Sequence, residues 1–209
     1  VLSLAATMGY QYDIFISYRR DPLTLKWISE HLVPLLKHTV LLELGVPPNI
    51  FVDDQLETGT TWPIQLGKKL GDSKLIIPLW TKTFLDSKWC SCEIGHMLER
   101  EEKCGFRTID KPGGLIFPFI IHDGETIPAS LQAIQQKTGI QDCFNVRMSA
   151  DSPKAELLAD KIREVGKPIS DAIQQAPAWS GDWQIAAVNR FVETFHNTAG
   201  LTQTQVPKF

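Results

Sequence analysis

Four short apolar runs separated by helix-length stretches constrain this chain more than any other feature: YDIFISY (12–18), NIFVD (49–53), KLIIPLW (74–80) and GLIFPFII (114–121). Each is rich in β-branched and aromatic residues and is too short for a helix, so it reads as a buried strand. Helical periodicity fills the intervals at about 23–44, 61–71 and 87–103. A weaker fifth strand is expected at DCFNV (142–146), followed by an amphipathic helix from Pro153 to Gln175. Strands that alternate with helices pair in parallel, because the crossover has to travel the length of the sheet. The expected fold is α/β: a parallel five-stranded sheet with helices on both faces. Pro34 should kink or split the first helix. Pro78 and Pro118 fall within strand runs and should sit at an end or a bulge, since proline donates nothing to a ladder.

The rest of the chain limits what this sheet can belong to. With 209 residues, 43% of them hydrophobic and 22% charged, it holds one ordinary domain and an appendage. A net charge of −3 gives no footing for a nucleic-acid partner held through phosphates. Cys90, Cys92, Cys104 and Cys143 show no disulfide-framework spacing and suit reduced thiols in a cytoplasmic protein. A closed metal site needs about four ligands, and the Cys90–Cys92 pair has no second pair to complete it. No apolar run approaches the ~20 residues of a membrane span, so no membrane partner is expected. Residues 1–10 read as a leader or remnant, 11–175 as the domain, and 176–209 as a linker plus an amphipathic segment of unassigned role. That segment carries Trp183, Ala187, Phe191 and Phe195 at spacing four, a stripe that must pack. A neighbouring copy or another domain could take it, and another domain is the expectation favoured.

In the flavodoxin-like strand order, ligands bind beyond the carboxyl ends of the strands, between the first and third. The first strand ends in Tyr18, Arg19 and Arg20, and the third ends in Trp80. The helix that follows carries Trp89 and, one turn on, Glu93. Guanidinium forks suit phosphate, aromatic faces suit planar rings, and a lone carboxylate suits a developing positive charge. Singly, each has an ordinary reading as an edge-of-core aromatic, a solvated loop charge or an exposed helix acid. Their convergence on one sheet edge favours a site.

Three separated motifs, YDIFISYRRD, FVDDQLETGTTW and FLDSKWCSCEI, stand in an order that resembles the TIR (Toll/interleukin-1 receptor) domain over residues 11–175. FISYRR and LETG look most like its NAD-cleaving branch, which includes bacterial immune effectors. The resemblance implies that Glu93 is the catalytic glutamate and that NAD+ is the substrate, with no cofactor. Tyr18, Arg19, Arg20, Trp62, Trp80 and Trp89 would bind it, Arg19 or Arg20 at a phosphate and Trp62 closing over it. It also implies a head-to-tail assembly of copies, a sensor domain or separate sensor protein, and a role in bacterial antiviral defence. Gln55 stands where a related enzyme carries a basic residue, which puts contacts from that loop in doubt. By composition alone, Trp62 can equally cap its own following helix. The rival reading is a TIR interaction module without catalysis. A phosphoacceptor receiver would want acids where Arg19 and Arg20 stand, and no GxGxxG follows the first strand as a dinucleotide-binding domain requires.

Overall fold

The computed structural model describes residues 9–53, 62–132, 134, 137 and 139–199. The sheet runs β2 (Ile50–Val52), β1 (Tyr12–Ser17), β3 (Ser73–Trp80), β4 (Phe119–Ile120), all parallel. Ile14 faces Ile50 on one side and Leu75 on the other, which places the most apolar part of each run at the centre of the sheet. Ile14, Phe15, Ile16, Leu75, Ile76 and Ile77 are fully buried, as strands covered on both faces must be.

The first helical stretch is divided as Pro34 requires. Helix α1 (Pro22–Trp27) is capped by Asp21, which accepts from Thr24 N at 2.8 Å, and runs into a π-helical turn, Ile28–Leu32. Helix α2 (Val33–Leu44) follows with no break in helical backbone, and Pro34 falls in its first turn, directly after the wider π turn that accommodates a residue with no N–H to donate. It stops at Gly45, whose φ of 75° is the left-handed conformation of a helix terminator. Pro78 sits inside β3. Ile76, two residues earlier on the same edge, donates to Leu115 O at 2.9 Å. The donor that Pro78 lacks therefore falls on the β4 side, where pairing lapses between the Ile76–Ile116 bridge and the Leu79–Phe119 pair. Pro118 stands just before β4.

Helix α3 (Trp62–Gly71) leads into β3, and α4 (Lys82–Leu85) is a single turn before α5 (Lys88–Lys103). Ser87 caps α5, accepting from Cys90 N at 3.4 Å. After β4 come α6 (Ala129–Gln132), α7 (Ile140–Cys143), α8 (Pro153–Gln175) and α9 (Gly181–Ala199). The fifth strand expected at 142–146 does not form. Ile140 and Cys143, three apart and both fully buried, put one face of a helical turn into the core instead. Among the described residues, the position beyond β4 is held by Lys137, which accepts from Ile120 N at 3.2 Å and donates to Pro118 O at 2.8 Å. The described sheet therefore has four strands in the expected order, with this single bridge at its edge.

The C-terminal stripe packs on the chain's own domain, against α3 and α5, rather than waiting for another. Ala187 and Phe191 are fully buried. The close approach depends on two glycines of α3. A Cβ at Gly67 would lie 2.7 Å from Val188 Cα, and one at Gly71 closer still to Gln184 Cα. Asp72 then ties the start of α9 to the sheet, accepting from Trp179 Nε1 at 3.1 Å and Gln184 Nε2 at 2.9 Å. Arg190 pairs with Glu99 of α5 at 2.7 Å. Among the described residues, no helix is long and apolar enough to cross a membrane, and no group of three or more His, Cys, Asp or Glu is placed to hold a metal ion.

Candidate functional site

Glu93 lies on the inner face of α5, at the carboxyl end of β1. The cap at Ser87 fixes the start of α5, and the spacing 90, 93, 94, 97 turns Cys90, Glu93, Ile94 and Met97 toward the sheet. The carboxyl is 6% exposed and accepts a short hydrogen bond from Ser17 Oγ, the last residue of β1. Burial pushes its pKa up to about 8; the Ser17 hydrogen bond and the Arg20 charge oppose this, and the anion of Asp53 adds to it.

Asp53 follows β2 and is gripped from β1. Arg20 donates to its Oδ2 through Nε at 2.8 Å and Nη2 at 2.5 Å, and the Tyr18 hydroxyl donates to its carbonyl at 2.9 Å. The Arg20 guanidinium also lies 5.7 Å from the centre of the Trp62 ring, over its face. Trp62 opens α3 and meets Trp89 edge-on, centroids 4.4 Å apart. Trp89, one turn before Glu93, lies nearly parallel to Phe191 of α9 at 6.2 Å. A continuous line of contacts therefore runs from α9 through two half-buried indoles to the Arg20–Asp53 pair beside the buried acid. Cys90 contributes no nucleophile here, since burial raises its thiol to about 12.

A profile of the TIR domain family matches residues 14–147. The chain belongs to the TIR domain family. Curated relatives are plant disease-resistance proteins. The TMV resistance protein N of Nicotiana glutinosa is 31% identical over 98 residues, 46% of this chain and 8% of that protein. The disease resistance-like protein DSC2 of Arabidopsis thaliana is 23% identical over 85% of this chain and 15% of its own length. Disease resistance protein RPS4, also of Arabidopsis thaliana, is 22% identical over 80% of this chain and 14% of its own. The chain thus spans less than a sixth of these relatives. Among solved structures, the TIR domains of the activated Roq1 resistosome directly recognizing the pathogen effector XopQ are 22% identical, with a TM-score of 0.37 over 78% of this chain and 96% of that one.

Within this TIR domain the residues named from sequence do not form one cluster. Arg20, Trp62 and Trp89 are joined to one another and, through Asp53, to the surroundings of Glu93. Tyr18, 7% exposed, supports Asp53 from below. Trp80 is fully buried, because β3 is covered on both faces to its last residue, and so it belongs to the core rather than to a crevice wall. Arg19 is exposed and, with Tyr18, Thr24 and Leu79, lines a separate hollow of about 200 Å³. The loop expectation, Gln55 included, lies in 54–61, outside the described residues. Trp62 itself packs within its own chain on Trp89. A larger cleft of about 930 Å³, between α8 and residues 106–119, contains none of these residues. Ser17 and Asp53 were not singled out from sequence. A polar residue closing an apolar strand at the ligand-binding end of the sheet is the signal that would have found both.

Proposed function

We propose that this TIR domain cleaves the bond between nicotinamide and ribose in NAD+, with Glu93 as the charge-stabilising carboxylate. The observation that carries this reading is a buried carboxyl at the carboxyl end of a parallel sheet, held among the described residues by the Ser17 hydroxyl, with a raised proton affinity. The chemistry suits one acid. Nicotinamide leaves as a neutral base with the bonding electron pair, so no proton has to be delivered to it. The ribose carbon becomes oxocarbenium-like and needs a negative charge beside it. Water, or an internal nucleophile, then bonds to that carbon and loses a proton, giving ADP-ribose or a cyclised product. The cationic nicotinamide ring favours the ionised form of Glu93 on arrival, so binding itself readies the carboxylate. Trp62 and Trp89 offer flat faces for the rings, and Arg19, exposed at the sheet edge, offers a fork for phosphate.

The proposal extends to a head-to-tail assembly of copies, to a sensor domain or separate sensor, and to a cytoplasmic defence role, which the resemblance implied for bacteria; disease-resistance proteins of plants are among the relatives that the chain is similar to. The second reading is a non-catalytic interaction module, and the near-complete closure over Glu93 favours it. Incubating concentrated protein with NAD+ and resolving nicotinamide and each adenine-containing product by chromatography separates the two. Nicotinamide should be released, and Glu93→Gln should lower its rate about a hundredfold or more. Specific activity should rise across a dilution series toward higher concentration. No release at any concentration leaves the interaction module.

A further inference from the structure

We propose that α9 is a strap on the Glu93 site: docked on α3 and α5 it holds the Trp89–Trp62 pair and Arg20 in their closed arrangement, and its release opens the way to Glu93. The regulation of Glu93 as a catalytic group rests on the reading above, while the mechanical part stands on packing alone.

Helices α3 and α5 carry the two indoles, and α9 packs against both of these helices. Phe191, fully buried, is the inner end of the contact line, stacked near-parallel on Trp89. Trp89 in turn meets Trp62, and Trp62 lies under the Arg20 guanidinium that grips Asp53. In this arrangement Glu93 is 6% exposed, too little for a dinucleotide to reach it. Removing Phe191 from one face of Trp89 frees that indole to turn, and the Trp62 edge contact goes with it.

The attachment combines a buried apolar stripe, a close helix seam and a set of polar ties. The α3–α9 contact is a glycine seam with little side-chain interdigitation at Gly67 and Gly71. Beyond the buried Ala187 and Phe191, polar ties complete the contact: Asp72 with Trp179 and Gln184, Arg190 with Glu99, and the Cys92 thiol 2.8 Å from Thr194 Oγ1. At its start, α9 is tied to α5 by Arg100, which lies over the Trp183 ring at 5.3 Å and also donates to the Tyr10 hydroxyl, itself bonded to Pro177 O. Whatever adjoins α9 in a longer protein would pull directly on this helix, and through it on the two indoles.

Two chemical labels in the full chain read the two halves separately from catalysis. Cys92, buried between α5 and α9, reports undocking through maleimide modification. Glu93 reports opening through carbodiimide-driven amidation, both localised by peptide fragmentation. Gly71→Leu forces the helices apart and should raise both labelling rates at least tenfold. Phe191→Ala should raise Glu93 labelling with a smaller change at Cys92. Nicotinamide release should rise severalfold in both. Cys92 still protected in Gly71→Leu overturns the docking described, and Cys92 exposed with Glu93 still protected overturns the strap. Both labels rising without nicotinamide from any variant leaves the strap standing and overturns the NAD+ reading instead. A circular-dichroism melt that retains one cooperative transition separates release from unfolding.

Discussion

Helix α5 buries two glutamates two turns apart, and they live in opposite circumstances. Glu101 is saturated: Arg107 donates to it through Nε at 2.6 Å and Nη2 at 3.0 Å, Ile116 N donates at 3.1 Å, and Leu115 N donates in a shorter bond. It ties the loop before β4 to the helix, and that duty accounts for its burial. Glu93 has the Ser17 hydroxyl, an anionic neighbour in Asp53 and a raised pKa. Among the described residues it is joined only to the end of β1. A buried acid supplied with donors is structure. A buried acid kept short of donors costs stability, and that is the ground for the role proposed for Glu93.

Breaking the saturated site should produce the largest effect on stability. Glu101→Ala removes the acceptor for two backbone amides and the Arg107 fork, and should cost on the order of 3–5 kcal/mol, read as a lowered denaturant midpoint at unchanged slope. Glu93→Gln should do the reverse at alkaline pH. The folded pKa of Glu93 lies above the ordinary value of about 4.3, so the folded protein binds the extra proton between the two values. The contribution of the acid to stability is complete below about 4.3 and is lost as pH rises through about 8. Thermal melts of Glu93→Gln and wild type should therefore coincide near pH 4 and separate by pH 8 with the variant higher. A smaller effect sharpens the role of Asp53: Asp53→Asn removes an anion that raises the Glu93 pKa and should move the Glu93 midpoint downward in a pH titration. The smallest is Ser87→Ala, which removes the α5 cap and should cost about 1 kcal/mol in a chemical melt.

The strand runs were legible because a strand buried on both faces leaves an unbroken apolar signature, and their order followed from the alternation with helices. Pro34 was legible as a break but not as a π-helical turn, since the extra residue is a packing choice between α1 and α2. The fifth strand was misread because DCFNV has strand composition, while the spacing of Ile140 and Cys143 is helical and begins before that run. Trp80 was misread because the end of a buried strand and the rim of a crevice look alike in one dimension. The stripe on α9 was legible and its partner was not. Gly67 and Gly71, four apart on the apolar face of α3, are the complement that names the partner, and they speak only once both helices are placed. Glu93 was legible through the motif around it. Its poverty of donors was not, because that depends on Ser17 and Asp53, which stand far from it in the chain.

The most direct test of the contrast between the two acids is the titration of the Glu93 side-chain carboxyl carbon by NMR in labelled protein, assigned through its loss in Glu93→Gln. The expected midpoint is about 8. A midpoint near the ordinary glutamate value of about 4.3 would contradict the poised, donor-poor carboxyl on which the proposed chemistry stands.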